Sequence, residues 1–136
     1  MRLEPLYSVT IAIRPQAIGA TPDGTRMDVE FEGDLDPGGR VVGHLKGVDY
    51  LTVRQDGVAQ PHIHGVVTSP EGDVVAVHAT GLGVPAADGT LTTRFALTFQ
   101  TASSKLAWLN SIVAFAAGKA DLNKGELRMS AYTLEE

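Results

Sequence analysis

The chain predicts an all-β fold, a closed antiparallel β-barrel of about eight or nine strands forming one domain over residues 1–136. Three observations lead there. Turn signals recur at Thr21-Pro22-Asp23-Gly24, Asp36-Pro37-Gly38-Gly39, Asp56-Gly57, Ser69-Pro70-Glu71-Gly72, Gly81-Leu82-Gly83 and Ala87-Asp88-Gly89. The runs between them are roughly eight to twelve residues long and rich in Val, Ile, Thr, Phe and Tyr, the spacing of a sandwich or barrel. The runs also alternate. Met27, Val29 and Phe31 share one face, and so do Leu91, Thr93, Phe95, Leu97 and Phe99, and Leu127, Met129 and Ala131. Period two marks half-buried antiparallel strands. So many strands in a short chain avoid long open edges by closing into a barrel, and a barrel of about eight strands can hold one small ligand.

Taken in order, the expected strands cover roughly 6–14, 25–33, 39–46, 48–55, 58–68, 73–80, 90–101, 109–117 and 125–134. Ser103–Leu109 is the single short helix candidate, with Ser103 or Ser104 as its cap. No internal repeat, linker or low-complexity tract interrupts the pattern. A length of 136 residues is enough for one core.

Composition narrows the function classes. The net charge of −5 argues against nucleic acid, whose partners carry a basic stripe. No run of about 18 apolar residues suggests a membrane helix. Met1-Arg2-Leu3-Glu4-Pro5 lacks a signal-peptide core, and cytoplasmic residence is the expectation. With no cysteine, disulfides, thiolate nucleophiles and cysteine-ligated metals are excluded. The glycine-rich turns lack the Walker lysine and the dinucleotide fingerprint, and there is no Gly-x-Ser-x-Gly elbow.

Gln60-Pro61-His62-Ile63-His64-Gly65 holds two of the four histidines, at i and i+2 of one strand, hence on one face. A three-residue Pro70-Glu71-Gly72 loop pairs Ser69 with Asp73 and sets His64 opposite His78 and His62 opposite Thr80. A two-residue Asp56-Gly57 turn pairs Gln55 with Val58 and sets Asp49 opposite His64 and Leu51 opposite His62. That register gathers Asp49, His62, His64 and His78, and a slip of one residue disperses them. Three readings stay open. His62, His64 and His78 could ligate a zinc-like divalent metal, with or without Asp49. Asp49 paired with His64 or His78 could transfer protons, which would make these three the catalytic set. The same residues could line a polar wall without chemistry. The cupin superfamily also uses a His-x-His strand, but Glu71 stands at a different spacing here and no second motif follows.

Trp108, the single tryptophan, reads as an anchor of the barrel end or as a cavity wall with Asn110 as an orienting amide. Arg94 reads as a surface residue or as an interior cation for Asp49. His44 is expected on a partly exposed strand, and Asp28, Glu30 and Glu32 on a solvated face.

Several ordered segments resemble one bacterial family, the domain of unknown function 3237 (UPF0311) group. They are Ile18-Gly19-Ala20-Thr21-Pro22-Asp23-Gly24-Thr25-Arg26, Gly47-Val48-Asp49-Tyr50, Asp56-Gly57-Val58-Ala59, Phe99-Gln100-Thr101 and Trp108-Leu109-Asn110. The resemblance implies a closed barrel of lipocalin-like or allene oxide cyclase-like shape and no established activity. It also marks departures. His62 and His64 stand where relatives show an aspartate and an arginine, Gln100 replaces an acid, and Leu106 replaces a tyrosine.

The expectation is therefore a barrel that binds a small apolar or aromatic molecule, oriented by Asp49, His62, His64, His78, Arg94, Trp108 and Asn110. A cyclase or isomerase, a metal-dependent enzyme and a structural module, in which the histidine face is an interface, are the rivals. No cofactor is firmly implied beyond a divalent metal on the histidines. A symmetric homodimer is the expected assembly.

Overall fold

Strands form wherever the alternation runs between turn signals. In a computed structural model describing residues 1–136, they are β1 (Arg2–Thr21), β2 (Gly24–Asp34), β3 (His44–Val53), β4 (Ala59–Gln60), β5 (His62–Thr68), β6 (Val74–Pro85), β7 (Leu91–Thr101), β8 (Ala114–Asp121) and β9 (Glu126–Glu135). Pro61 has no N–H to give a ladder and separates β4 from β5, which together act as one stave. Neighbouring staves pair antiparallel, and β1 returns to β9 through Arg2–Ala12 against Glu126–Glu135. The sheet thereby closes into an eight-stave barrel with no free edge. No helix is long and apolar enough to cross a membrane.

The alternation decides the interior. Val9, Ile11, Phe31, Leu45, Val67, Val75, Val77, Phe95, Leu97 and Phe99 point inward into one continuous core. A smaller cluster of Val29, Leu51 and Ala59, with Met27, Val53 and Leu91 against it, fills the opposite end. Each fully buried side chain of this size stabilises the fold by roughly 1.5–3 kcal/mol. A β-bulge between Pro5 and Tyr7 turns two consecutive residues inward. Leu6 enters the plug at the barrel end, and Tyr7 enters the lumen.

Two of the expected strands are corrected. Residues 39–43 are not in a strand, and the expected 39–46 and 48–55 pair is replaced by one strand, β3, over His44–Val53. The Asp36-Pro37-Gly38-Gly39 turn does not make a hairpin. Residues 35–43 instead lie along β1, with Asp36 N–H donating to Ser8 O (2.8 Å) and Arg40 N–H to Leu6 O (2.8 Å). Likewise β8 starts at Ala114, not 109, because the preceding residues cross the barrel end. Asn110 ties them down, accepting from Thr101 N–H (2.8 Å) and donating to Thr101 O (3.1 Å). The expected helix at Ser103–Leu109 is a short 3₁₀ turn at Ala107–Ser111.

The barrel wall carries no side chains where Gly47 pairs with Gly65. A Cβ at Gly47 would lie 2.2 Å from His64 O and 2.8 Å from Phe31 Cζ. Gly72 faces open space but holds φ +91°. Gly47→Ala is therefore expected to cost at least about 2 kcal/mol through overpacking, and Gly72→Ala about 1 kcal/mol through backbone strain. Urea denaturation of both variants checks the order; equal stabilities would contradict this account of the wall.

Candidate functional site

The site follows from two hairpins of the same build. Ser69 N–H donates to Asp73 O (2.8 Å) and Gly72 N–H to Ser69 O (2.9 Å) around a three-residue loop. Arg54 N–H donates to Val58 O (2.9 Å) and Gly57 N–H to Arg54 O (3.0 Å) around another, with Gly57 at φ +86°. The first loop is the expected one, and His64 does stand opposite His78, and His62 opposite Thr80. The second is one residue longer than expected. Its third loop residue moves the register by one, so Asp49 pairs with Ile63 and Val48 with His64. That slip sends Asp49 to the opposite face from the histidines.

The four-residue patch is thus split. Asp49 points into the lumen, while His62, His64 and His78 are exposed on the outer wall. The proton-transfer pairing of Asp49 with His64 or His78 is not formed. The three-histidine metal site is not formed either, since no group of three or more His, Asp or Glu side chains is placed to hold one ion. Arg94 is also outside, donating to its neighbour Thr93 O (2.8 Å) rather than to Asp49. Trp108 anchors the barrel end beneath the Arg40 guanidinium, 4.6 Å from its ring centre, and Asn110 clamps Thr101. Neither reaches the lumen cavity. His44 lies outside between Asp34 (2.8 Å) and Glu32 (2.9 Å), whose carboxylates raise its pKa.

Inside, the lumen keeps a cavity of about 60 Å³. A single water needs roughly 10–15 Å³ by this measure, so there is space for several. Its walls are Ile11, Phe31, Val77, Phe95, Leu97, Met129 and similar apolar side chains. Asp49 is the single charged group on them. One of its oxygens accepts the His62 N–H (2.9 Å) at the break that Pro61 makes in the ladder. Burial outweighs that hydrogen bond and pushes the Asp49 carboxyl up to about 6. Tyr7 supplies the second polar atom. Its side chain is 3% exposed, its hydroxyl has no hydrogen-bond partner, and burial raises its pKa. Sequence reasoning missed Tyr7. The signal was its place two residues before Val9 and four before Ile11 on an inward face.

The Asp49 shift makes a stability prediction. A carboxyl near 6 in the folded chain and near 3.8 unfolded favours the folded state fully below about pH 4, and this advantage is lost as pH rises through 6. The difference is roughly 3 kcal/mol. Asp49→Asn keeps an acceptor for His62 N–H and removes the ionisation. Its thermal midpoint is expected to exceed the parent's at pH 8 by several degrees and to match it near pH 4. A variant less stable than the parent at pH 8 would refute the desolvated-acid account.

Comparison with known proteins places the fold. A β-barrel-like protein from Acinetobacter baumannii superposes with a TM-score of 0.87 at 23% identity, covering 98% of this chain and 96% of the other. A protein of unknown function from Clostridium acetobutylicum gives 0.86 at 19%, covering 99% and 100%. A Penicillium herquei protein described as an enzyme gives 0.75 at 21%, covering 98% and 94%. Among curated proteins nothing matches. The family described as "Protein of unknown function (DUF3237)" matches residues 1–134, and the chain belongs to that family.

Proposed function

We propose that the barrel binds a small, mainly apolar molecule in its lumen, oriented by a hydrogen bond to Asp49 and a second to the Tyr7 hydroxyl. One observation carries this reading: two buried polar groups, one an acid and one a phenol without a partner, face a single apolar cavity. Buried polar atoms are normally satisfied, and an unsatisfied hydroxyl costs about 1–3 kcal/mol. A ligand carrying one hydroxyl or carbonyl would supply the missing partner. The resting cavity is smaller than the roughly 150 Å³ that takes benzene. A ring-sized ligand therefore requires repacking, which the unbranched Met129 on the cavity wall and Met27 at the barrel end can provide.

A second reading rests on the Asp49 carboxyl itself. A carboxyl near 6 in an apolar enclosure can give or take a proton close to neutral pH. The outward histidines leave Asp49 as its acid and base, with Tyr7 as the hydrogen-bond donor to a developing oxyanion. The similar Penicillium herquei protein is described as an enzyme.

Phenol and benzyl alcohol are suitable probes. Saturable shifts of the Met129 and Ala79 methyl NMR signals are expected, with Tyr7→Phe weakening binding by about tenfold, one hydrogen bond's worth. Tyr7→Phe should simultaneously leave the fold as stable or more stable, because it deletes an unsatisfied group. Binding unaffected by Tyr7→Phe, or no methyl shifts with any probe, would defeat the lumen reading. For the enzyme reading, any turnover found should follow ionisation near pH 6 and vanish in Asp49→Asn.

A further inference from the structure

The register that sends the histidines outward also builds a broad trough on the outer wall. Cross-strand partners Arg14, Glu30, Val48, His64, His78 and Thr98 form one continuous row over β1, β2, β3, β5, β6 and β7. The row lies in an open groove of about 1100 Å³. At its centre His64 and His78 face each other directly, with ring centroids 4.9 Å apart and planes inclined by 57°. Tyr50 meets the His64 ring edge-on from 6.0 Å on the opposite side.

We propose that His64 and His78 form a two-imidazole chelate for a divalent transition-metal ion, Cu²⁺, Ni²⁺ or Zn²⁺. The argument is geometric. With metal–nitrogen bonds of about 2.0–2.1 Å, two imidazoles sharing one ion at an angle between square and tetrahedral have centroids about 4.5–5.2 Å apart. The observed separation falls inside that window before any ion is added. Both residues stand directly opposed on the same antiparallel ladder, so the backbone holds their Cβ atoms at a set separation. Gly65 and Ala76 beside them carry little or no side chain, which leaves room for the waters that complete the coordination shell. The charged side chains of the groove balance, Glu30 and Glu32 against Arg14 and Lys46, with Arg14 held at Glu30 (3.0 Å) and Glu32 at His44 (2.9 Å), so the chelate rests on the two imidazoles. His62 lies on the same face but pairs with Thr80, and it is not placed as a third ligand. The site is therefore smaller than the three-histidine centre the sequence suggested. It does not depend on lumen binding, because its ligands lie on the other side of the wall.

The test is calorimetric titration of chain free of any histidine tag with NiCl₂, ZnCl₂ and CuCl₂. Histidine ring signals followed by NMR during Ni²⁺ addition identify the ligands. One ion per chain is expected, with the His64 and His78 signals broadening first. His64→Gln and His78→Gln are each expected to weaken binding by about tenfold or more, and His62→Gln and His44→Gln by less than about twofold. Apo thermal midpoints equal to the parent's confirm that the exposed substitutions leave the fold intact. No saturable binding, or loss of affinity as large in His62→Gln or His44→Gln, would overturn the proposal.

Discussion

The length of a three-residue loop governs this molecule. In a β-ladder the side-chain period is two, so each hairpin loop decides, through the parity of its length, which residues see water and which see the lumen. The loops at Arg54–Val58 and Ser69–Asp73 share one hydrogen-bond pattern, and a third at Ala86–Thr90 repeats it. Through β3, β5 and β6 these loops place Leu45, Asp49, Ile63, Val67, Val75, Val77 and Ala79 inside as one set and His62, His64 and His78 outside as another. Closure of β1 on β9 then fixes the set, because a ring has no free edge along which a single stave can slide without disturbing both neighbours.

The apolar interior that results is dense except around two polar side chains. Their presence there is energetically adverse. Asp49 loses hydration that one backbone N–H does not replace, and the Tyr7 hydroxyl has no partner at all. Stability alone would favour an apolar group of the same shape at Tyr7 and an uncharged acceptor at Asp49. The aliphatic core, built from Leu6, Leu97, Leu109, Val67 and Val75 at under 2% exposure, is large enough to carry that cost. On the proposed lumen-binding reading, local instability of this kind is retained because a bound molecule relieves it.

Much of the fold was legible. Strands β2, β7 and β9 follow strict alternation between clear turns, and no other packing suits their patterns. The His64–His78 pair was legible in part, because Pro70-Glu71-Gly72 suits a three-residue loop, whereas a two-residue Glu71-Gly72 turn would have set Ala79 opposite His64. Two things were not. Val41 and Val42 look like strand residues, but the contacts that hold 35–43 against β1 are long-range and leave no local mark. Asp56-Gly57 is compatible with both a two-residue turn and the end of a three-residue one, since glycine takes the left-handed position in each. That ambiguity alone moved Asp49 from the histidine face to the lumen. Arg94 followed the alternation of β7 to the surface, as one of its two readings held. Trp108 took the anchoring role because the barrel end needs a large cover and the lumen, already holding Phe31 and Phe95, does not.

Asp49 also has a structural task, and separating it from a chemical one sharpens what the residue is for. Pro61 interrupts the stave and leaves the His62 N–H to be accepted by the Asp49 side chain. An amide would accept that bond as well as a carboxylate and would not suffer the desolvation of a charge. The ladder repair therefore explains a polar acceptor at this position but not an ionisable one. What a carboxyl adds over an amide is a proton it can release near pH 6 and a charge that a ligand can meet. Tyr7 points the same way, because its hydroxyl repairs nothing in the backbone and still faces the same cavity. The proposed lumen ligand accounts for both: the ladder needs an acceptor at Asp49 but not an ionisable one, it needs nothing at Tyr7, and the two groups converge on one apolar space.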